Sequence, residues 1–460
     1  MEITSLLVKH IARTHFNDLT PQTVEAAKKG VIDTVGTMIG GSSAPGCRLL
    51  VEVIKDWGGK EESTIAVFGG KAPSHLCALA NGAMARALDL DDVNDDFPLH
   101  PDTVIVPVAF AIGERQKTIN GRDFLTAIAL GQDIVMRIAS AINVNPIFSG
   151  RYNLFKVFAA TATAGKLMGL DQEQMSNALG IAYSNMAGAD AQSLLDGVMT
   201  SYIQEGEAAK AAIESAVFAE KRITGTKNPF QGQNGFFNAF EPDPNLDALT
   251  FELGNKFSGC GISIKPFASC RTTHEAIDLA LEIVKDEGID PGSIGRITAR
   301  VNDQTFKLTC HPLDRKRRPK NRGEAQFSLP FTVATAIIRG DFFVDELSDD
   351  ILTDPKILHL ASKVNAISDS ACRTDSSLGT TILEIETHDG KVVSRKKAFA
   401  LGSPKNSMSM DACLRKFEKS VKYAYRPFSK DQINKLIRML SEIEFLEEIA
   451  VLAQLLVSNS

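Results

Sequence analysis

TILEIETHDGKVVSRKKAFA, residues 381–400, reads as two strands around a His-Asp-Gly turn, with apolar and polar side chains alternating most plainly in LEIE before it. A period of two belongs to a strand with one buried face, and two such runs joined by a short turn containing Asp-Gly predict a β-hairpin. It is the clearest strand signal in a chain of 460 residues that otherwise keeps to helical spacing. Working outward, SIGRITARVND (293–303) has the same β-branched alternation. HEAIDLALEIVKDEG (274–288) and EAQFSLPFTVATAIIRG (324–340) read as helices between the strands. The character changes at SGCGISIKPFASC (258–270), so residues 262–404 read as one α+β segment.

Both flanks are helical. Thr20-Pro21 is an N-cap followed by Pro at the first helical position, and TVEAAKKGVIDTVGTMIG runs from it into the punctuation GGSSAPG. APSHLCALANGAMARALDL, GRDFLTAIALGQDIVMRIASAI and KVFAATATAGKLMGLDQEQMSNALGIAYSNMAGA follow, rich in Ala and Gly rather than Leu. Small residues on helix faces let backbones approach closely. MDACLRKFEKSVKYA and KDQINKLIRMLSEIEFLEEIAVLAQLL return to helix after the α+β segment. The predicted fold is mainly α: a large multi-helix domain formed by residues 1–261 and 405–460, with a smaller α+β domain, 262–404, inserted.

A hydrophobic content of 44% suits a buried core and argues against disorder. Fifty basic against 56 acidic residues leave a net charge of −6, which points to neither a nucleic-acid nor an anionic-membrane partner. The N-terminus MEITSLLVKHIARTHF lacks the apolar core of a signal peptide, and no run approaches a transmembrane span. Seven scattered cysteines form no CxxC pair, so they fit reduced thiols and give no zinc or iron–sulfur ligand set. A cytoplasmic protein is expected.

Chemistry concentrates in ALDLDDVNDDFPLHPD, residues 87–102, with five of its aspartates before one histidine. Three readings compete. Asp and Asn beside Pro are turn chemistry, so the run reads first as a solvated loop. Asp91-Asp92-Val93-Asn94-Asp95 also spells DDxxD, a magnesium–diphosphate pattern, in which Asp91 and Asp95 would share a helix face. Its usual second metal motif is missing, since DDILTDPKI (349–357) ends in Ile, and Pro98 and Pro101 break a helix there. The third reading is acid–base catalysis by a carboxylate at a helix end and a histidine held beside prolines.

This stretch, continued as ALDLDDVNDDFPLHPDTVIVPVAFAIGE, resembles the signature of the MmgE/PrpD family: a helix into D-x-D-D, then H-P, then another helix. KKGVIDTVGTMIGGS, GKLMGLDQEQMSNALGIA, GEAAKAAIESAVFAEKRITG with GFFNAF, IKPFASCRTTHEAIDLAL, RPKNRGEAQFSLPFTVATAIIRGDF and LGSPKNSMSMDACLRKFE match the same family in order. The family includes 2-methylcitrate dehydratase, cis-aconitate decarboxylase and iminodisuccinate epimerase. The resemblance implies a helical domain with a smaller α+β lid, usually a homodimer, working without metal or other cofactor on a small polycarboxylate.

By the same resemblance Asp89 matches the first aspartate of D-x-D-D and His100 the H-P histidine, with about one extra residue between them. Asp92 is a second catalytic candidate that can equally accept backbone N–H bonds to set the turn. Lys265 and His274 match a lysine and a histidine of the smaller domain, and Cys270 stands where members carry cysteine or histidine. Arg271 joins Lys265 as a candidate carboxylate clamp, because its planar fork fits a carboxylate. Two departures stand out. Ser201 replaces a lysine a few residues before G-x-A-A, and FSGRYNLFKVF has no histidine where members carry one. Arg151, Tyr152 and Lys156 are the candidates to replace the lost group. The expected function is a cofactor-independent lyase or isomerase, foremost a dehydration like that of 2-methylcitrate dehydratase, with decarboxylation or epimerisation as alternatives. Asp89 takes the proton, His100 gives one, and closure of the lid excludes water. A magnesium-dependent prenyl-diphosphate enzyme and a non-catalytic polyacid-binding protein are the alternatives of other classes.

Overall fold

The computed structural model describes residues 2–143, 154–186, 190–373 and 378–458. The chain divides into two compact units, Met1–Ile262 with Ser409–Ser460, and Ser263–Met408. In the larger unit the main helices are α1 (Ile3–Arg13), α2 (Pro21–Gly41), α3 (Pro45–Trp57), α4 (Ser74–Arg86), α5 (Asp102–Gln116), α6 (Gly121–Ser140), α7 (Lys156–Leu167), α8 (Gln172–Ser184) and α9 (Thr200–Glu220). Thr20 caps α2 by accepting the Thr23 N–H, and Pro21 opens it, as the Thr-Pro pair predicts. Asp171 and Gln174 form a reciprocal capping box on α8.

The small-residue faces are where the backbones meet. α4 packs against α2, α5 and α9, and a Cβ on Gly82 would lie 3.1 Å from both the Gly206 Cα and the Thr103 carbonyl oxygen. A Cβ on Gly206 would run into the Leu79 carbonyl. Glycine is required on both sides of this crossing by space, not by backbone angle. The close approach puts α9 against α4 just where α4 delivers the aspartate-rich loop.

Helical order is lost before residue 260. TGTKNPFQGQNGFFNAFEPDPN (224–245) holds only the short helix Phe236–Phe240, because its Gly, Pro and Asn residues interrupt any longer run. A two-residue pairing, Ser63–Thr64 with Lys71–Ala72, was also not visible as alternation.

The smaller unit contains α10 (His274–Glu287), β1 (Ile294–Val301), α11 (Leu329–Arg339), α12 (Pro355–Ser362), β2 (Val364–Ser368), β3 (Thr381–Thr387) and β4 (Val392–Lys397). The sheet order is β2-β1-β3-β4, with β2 parallel to β1 and the rest antiparallel. The hairpin pairs Thr381 with Lys397 through Glu386 with Val392. Leu383 and Ile385 point into the core between half-buried neighbours, the period of two that the sequence carries. Lys397 of β4 reaches Asp278 at 2.7 Å and Glu282 at 2.5 Å on α10, which ties helix to sheet. β2 was missed, since VNAIS is short and half exposed.

The chain then returns to the larger unit with α13 (Met410–Val421) and α14 (Lys430–Ser441). α13 lies on α2, whose Gly36 faces Phe417. Beyond α14 the expected helix breaks into a turn at Ile443–Phe445 and a short helix, Ala450–Gln454. Its backbone pairs instead with the loop before α6: Gly121 donates to the Leu446 carbonyl and Ile449 to that of Ile119, both at 2.8 Å.

Candidate active site

α4 ends at Arg86, a position where a cation suits the helix dipole. Three residues on, Asp89 turns the chain with φ +52°, the left-handed region that an L-residue other than Gly, Asn or Asp rarely enters. This turn brings Asp89 back onto the helix end. One Arg86 nitrogen donates to Asp89 Oδ1 at 2.6 Å and to Asp91 Oδ1 at 3.1 Å. The other oxygen of Asp91 lies 2.7 Å from His100 Nδ1, and that nitrogen also meets the Asp92 carbonyl oxygen at 2.7 Å. A carboxylate and a carbonyl both accept, so Nδ1 carries a proton and the exchanging position of the ring is Nε2. Arg86, Asp89, Asp91 and His100 form one linked group inside the larger unit, and all four are buried.

The loop that carries His100 is tied at several points. Asn94 Oδ1 accepts the Asp96 and Phe97 N–H groups, and the Asn94 N–H donates to the Leu99 carbonyl. Phe97 packs edge-on against Phe155, ring centroids 5.8 Å apart. Of the aspartates in the stretch, Asp95 and Asp96 are the two that are not buried. The solvated-loop reading is therefore overturned for Asp89, Asp91, Asp92 and Asp102.

Behind the loop lies a second carboxylate group. Both oxygens of Asp92 accept the Asp102 N–H at the start of α5, at 3.2 and 3.1 Å. This is the turn-setting role, and it points the Asp92 carboxylate at backbone. Gln132 donates to both oxygens of Asp102, and Lys416 pairs with Asp33 and donates to the Leu90 carbonyl. Burial, then the neighbouring charges of Asp102 and Asp91, hold the Asp92 carboxyl well above its usual range. Burial likewise pushes Asp102 up to about 7, with the Asp33 charge adding to it against the Gln132 hydrogen bonds.

A pH dependence follows. An unfolded aspartate loses its proton near 3.8, whereas folded Asp102 keeps it until about 7. The folded state binds the extra proton, so this contribution is full below pH 3.8 and is lost as pH rises through 7. Asp102→Asn is expected to melt like the parent at pH 4 and to be more stable at pH 8, by on the order of a few kcal/mol. Urea melts across that range check it; a parallel pH curve for variant and parent would refute it.

Next to the first group, Lys156 at the start of α7 meets both oxygens of Glu205 at 2.8 Å, and both side chains are fully buried. Burial lowers the Lys156 pKa against the pull of Glu205. The Thr103 hydroxyl lies 3.2 Å from Glu205 Oε2 and 2.9 Å from the His100 carbonyl oxygen. Ser201, half-buried, sits one turn before Glu205 on α9, its carbonyl accepting from Gln204. Arg151 and Tyr152 lie outside the described residues.

In the smaller unit Lys265 is 1% exposed. Arg271 donates to the Leu401 carbonyl at 2.8 Å and lies 3.4 Å from His274 Nδ1. His274 is fully buried, with Nε2 3.1 Å from the Ser269 carbonyl, so Nε2 carries the proton and the ring braces its own loop. The Cys270 thiol lies 3.3 Å from the Thr272 hydroxyl, and its backbone N–H donates to the Gln326 carbonyl. Lys316, from the basic run 314–322, turns inward and donates to the Leu308 and Phe327 carbonyls at 2.9 and 2.6 Å. Burial lowers its pKa.

Asp89 and His100 are joined through Arg86 and Asp91, neither of which the sequence offered as acid–base machinery. The signals were present: an arginine closing the helix three residues before Asp89, and an aspartate hidden in DDxxD. The metal reading of that motif loses its premise. Residues 91–95 form no helix, and Asp91 is turned to Arg86 and His100. Among the described residues no group of three or more His, Cys, Asp or Glu side chains is arranged to hold a metal ion. No helix among them is long and apolar enough to cross a membrane.

Comparison with known proteins gives the family. Residues 5–249 match the MmgE/PrpD N-terminal domain and residues 267–442 the MmgE/PrpD C-terminal domain. The chain is 24% identical over 436 residues to cis-aconitate decarboxylase of Aspergillus terreus, covering 90% of this chain and 88% of the relative. It is 23% identical over 457 residues to human cis-aconitate decarboxylase, covering 95% and 91%. With 2-methylcitrate dehydratase of Escherichia coli K12 it shares 22% over 376 residues, covering 75% and 73%. Both halves of the family model fall on this chain, one of them spanning the Asp89–His100 segment, and on that ground the protein belongs to the MmgE/PrpD family.

Proposed function

We propose that the protein is a cofactor-independent lyase acting on a small di- or tricarboxylate, with dehydration as its reaction. The observation that carries this reading is the linked group of Arg86, Asp89, Asp91 and His100. Arg86 favours the anionic form of Asp89, which is the form a base needs. Asp91 favours the charged imidazolium of His100, which is the form an acid needs. Asp89 removes the proton from carbon next to a substrate carboxylate, the electron pair forms the double bond, and the hydroxyl leaves with a proton from His100 Nε2 as water. Lys265 and Arg271 are the residues proposed to hold the substrate carboxylates and the charge that develops on them. Decarboxylation and epimerisation would begin from the same arrangement; the relatives' names include a decarboxylase and a dehydratase.

The test is proton NMR in D₂O on EDTA-treated protein with 2-methylcitrate, citrate, cis-aconitate and iminodisuccinate. New olefinic signals from a hydroxy acid are the expected result. Loss of carbon dioxide from cis-aconitate, or solvent deuterium entering a C–H beside a carboxylate without net conversion, would replace dehydration by decarboxylation or epimerisation. Folded protein that leaves every polyacid unchanged would overturn the proposal.

A further inference from the structure

Lys156 stands where neither its charge nor its position in the helix is favoured. It is the first residue of α7, where the helix dipole opposes a cation, and its side chain is fully buried. Glu205, equally buried on α9, meets the ammonium with both oxygens. Desolvating two ions is expensive, and well-packed apolar side chains often replace such a pair at no loss of stability. The better-attested use of a buried pair is to fix one arrangement of the groups around it.

Here those groups lead to His100. Glu205 Oε2 and the His100 carbonyl are the two acceptors of a single Thr103 hydroxyl proton, at 3.2 and 2.9 Å. A bare carboxylate at Glu205 would draw that proton away from His100. Neutralised by Lys156, it shares it. The charges of Arg86 and Asp91 act on Lys156 in turn, one against its protonated form and one for it. We propose that Lys156 and Glu205 are positioning residues for His100: through the Thr103 hydroxyl the pair holds the His100 backbone, so that the ring keeps its place on Asp91. The proposal rests on the reading of His100 as the proton donor.

Two neutral pairs separate positioning from packing. In Lys156→Met with Glu205→Gln, the amide oxygen still accepts from Thr103; in Lys156→Met with Glu205→Leu, the His100 carbonyl is left as the acceptor and the link to position 205 is lost. Thr103→Val removes the link and leaves the ion pair intact. Histidine labelled with ¹³C at Cε1 gives a His100 signal, identified by its loss in His100→Gln. The Gln double variant is expected to keep the His100 signal. The Leu double variant and Thr103→Val are expected to shift that signal and to lower kcat about ten- to a hundredfold with KM little changed. A folded Thr103→Val with an unmoved His100 signal would overturn the proposal, whatever the fate of the double variants. So would kcat losses in both double variants that simply follow their melting temperatures. The NMR arm needs no turnover, so a parent protein that leaves all the polyacids untouched counts against the proposed function and not against this inference.

Discussion

Asp91→Asn is expected to lower kcat by about 10²- to 10⁴-fold while leaving the fold intact, the range seen when the carboxylate behind a catalytic histidine is neutralised. Asparagine has nearly the same shape, and its amide oxygen can still accept from Arg86. What disappears is the negative charge 2.7 Å from His100 Nδ1. The imidazolium then loses its counter-charge, and an amide turned the wrong way would present N–H to N–H. The Asp92 carbonyl alone still accepts from Nδ1. KM is expected to change little, since Asp91 is fully buried behind the ring. The rate is read on whichever polyacid the D₂O panel shows to be turned over, with a melting curve alongside. Activity within a few fold of the parent would remove Asp91 from the mechanism. A joint collapse of activity and melting temperature would make it a structural partner of Arg86.

The elements that were legible in the sequence are those whose burial pattern is local. The strand at 381–387 announces itself because one of its faces is buried and the other is not. α2 does so through Thr20-Pro21, and α4 through small residues at helical spacing that meet α9 at Gly82 and Gly206. β2 was hidden because its pairing to β1 is parallel and distant in sequence, with only Val364 of its five residues buried. The tail after α14 was misread because its apolar residues suit a helix, while its backbone bonds go to Ile119 and Gly121.

The candidate site divides in the same way. Asp89 and His100 could be named because they lie in one short, unusual segment. Arg86 stands just before that segment and Asp91 within it, yet nothing in their spacing says that one nitrogen of Arg86 reaches two carboxylates. That depends on the left-handed turn at Asp89, which the sequence does not display. Thr103 and Glu205 were out of reach altogether, since 102 positions separate them and the packing of α5 on α9 brings them together. Asp92 shows how types mislead: one more carboxylate in the run, but directed at the Asp102 N–H. Arg271 and His274, read from the sequence as site groups, are engaged with a carbonyl each in their own unit.

Asp89→Asn and Asp89→Ala are expected to lose activity alike, by about 10²- to 10⁴-fold, the contribution typical of a positioned general base. Their stabilities should differ. Position 89 has φ +52°, a region that asparagine tolerates nearly as well as aspartate and alanine does not. Alanine should therefore cost about 1–2 kcal/mol more than asparagine, from backbone strain alone. Arg86 keeps Asp91 as a partner in both variants, so neither leaves that buried guanidinium without a carboxylate. Deuterium incorporation beside the substrate carboxylate is the most direct readout, because it reports the proton-abstraction step even when the leaving group stays. If exchange persists in Asp89→Asn at the parent's rate while elimination stops, the base lies elsewhere and Asp89 serves the later step. If exchange and elimination vanish together in a protein that melts like the parent, the carboxylate at position 89 is the base, and the left-handed turn that Arg86 anchors is what places it.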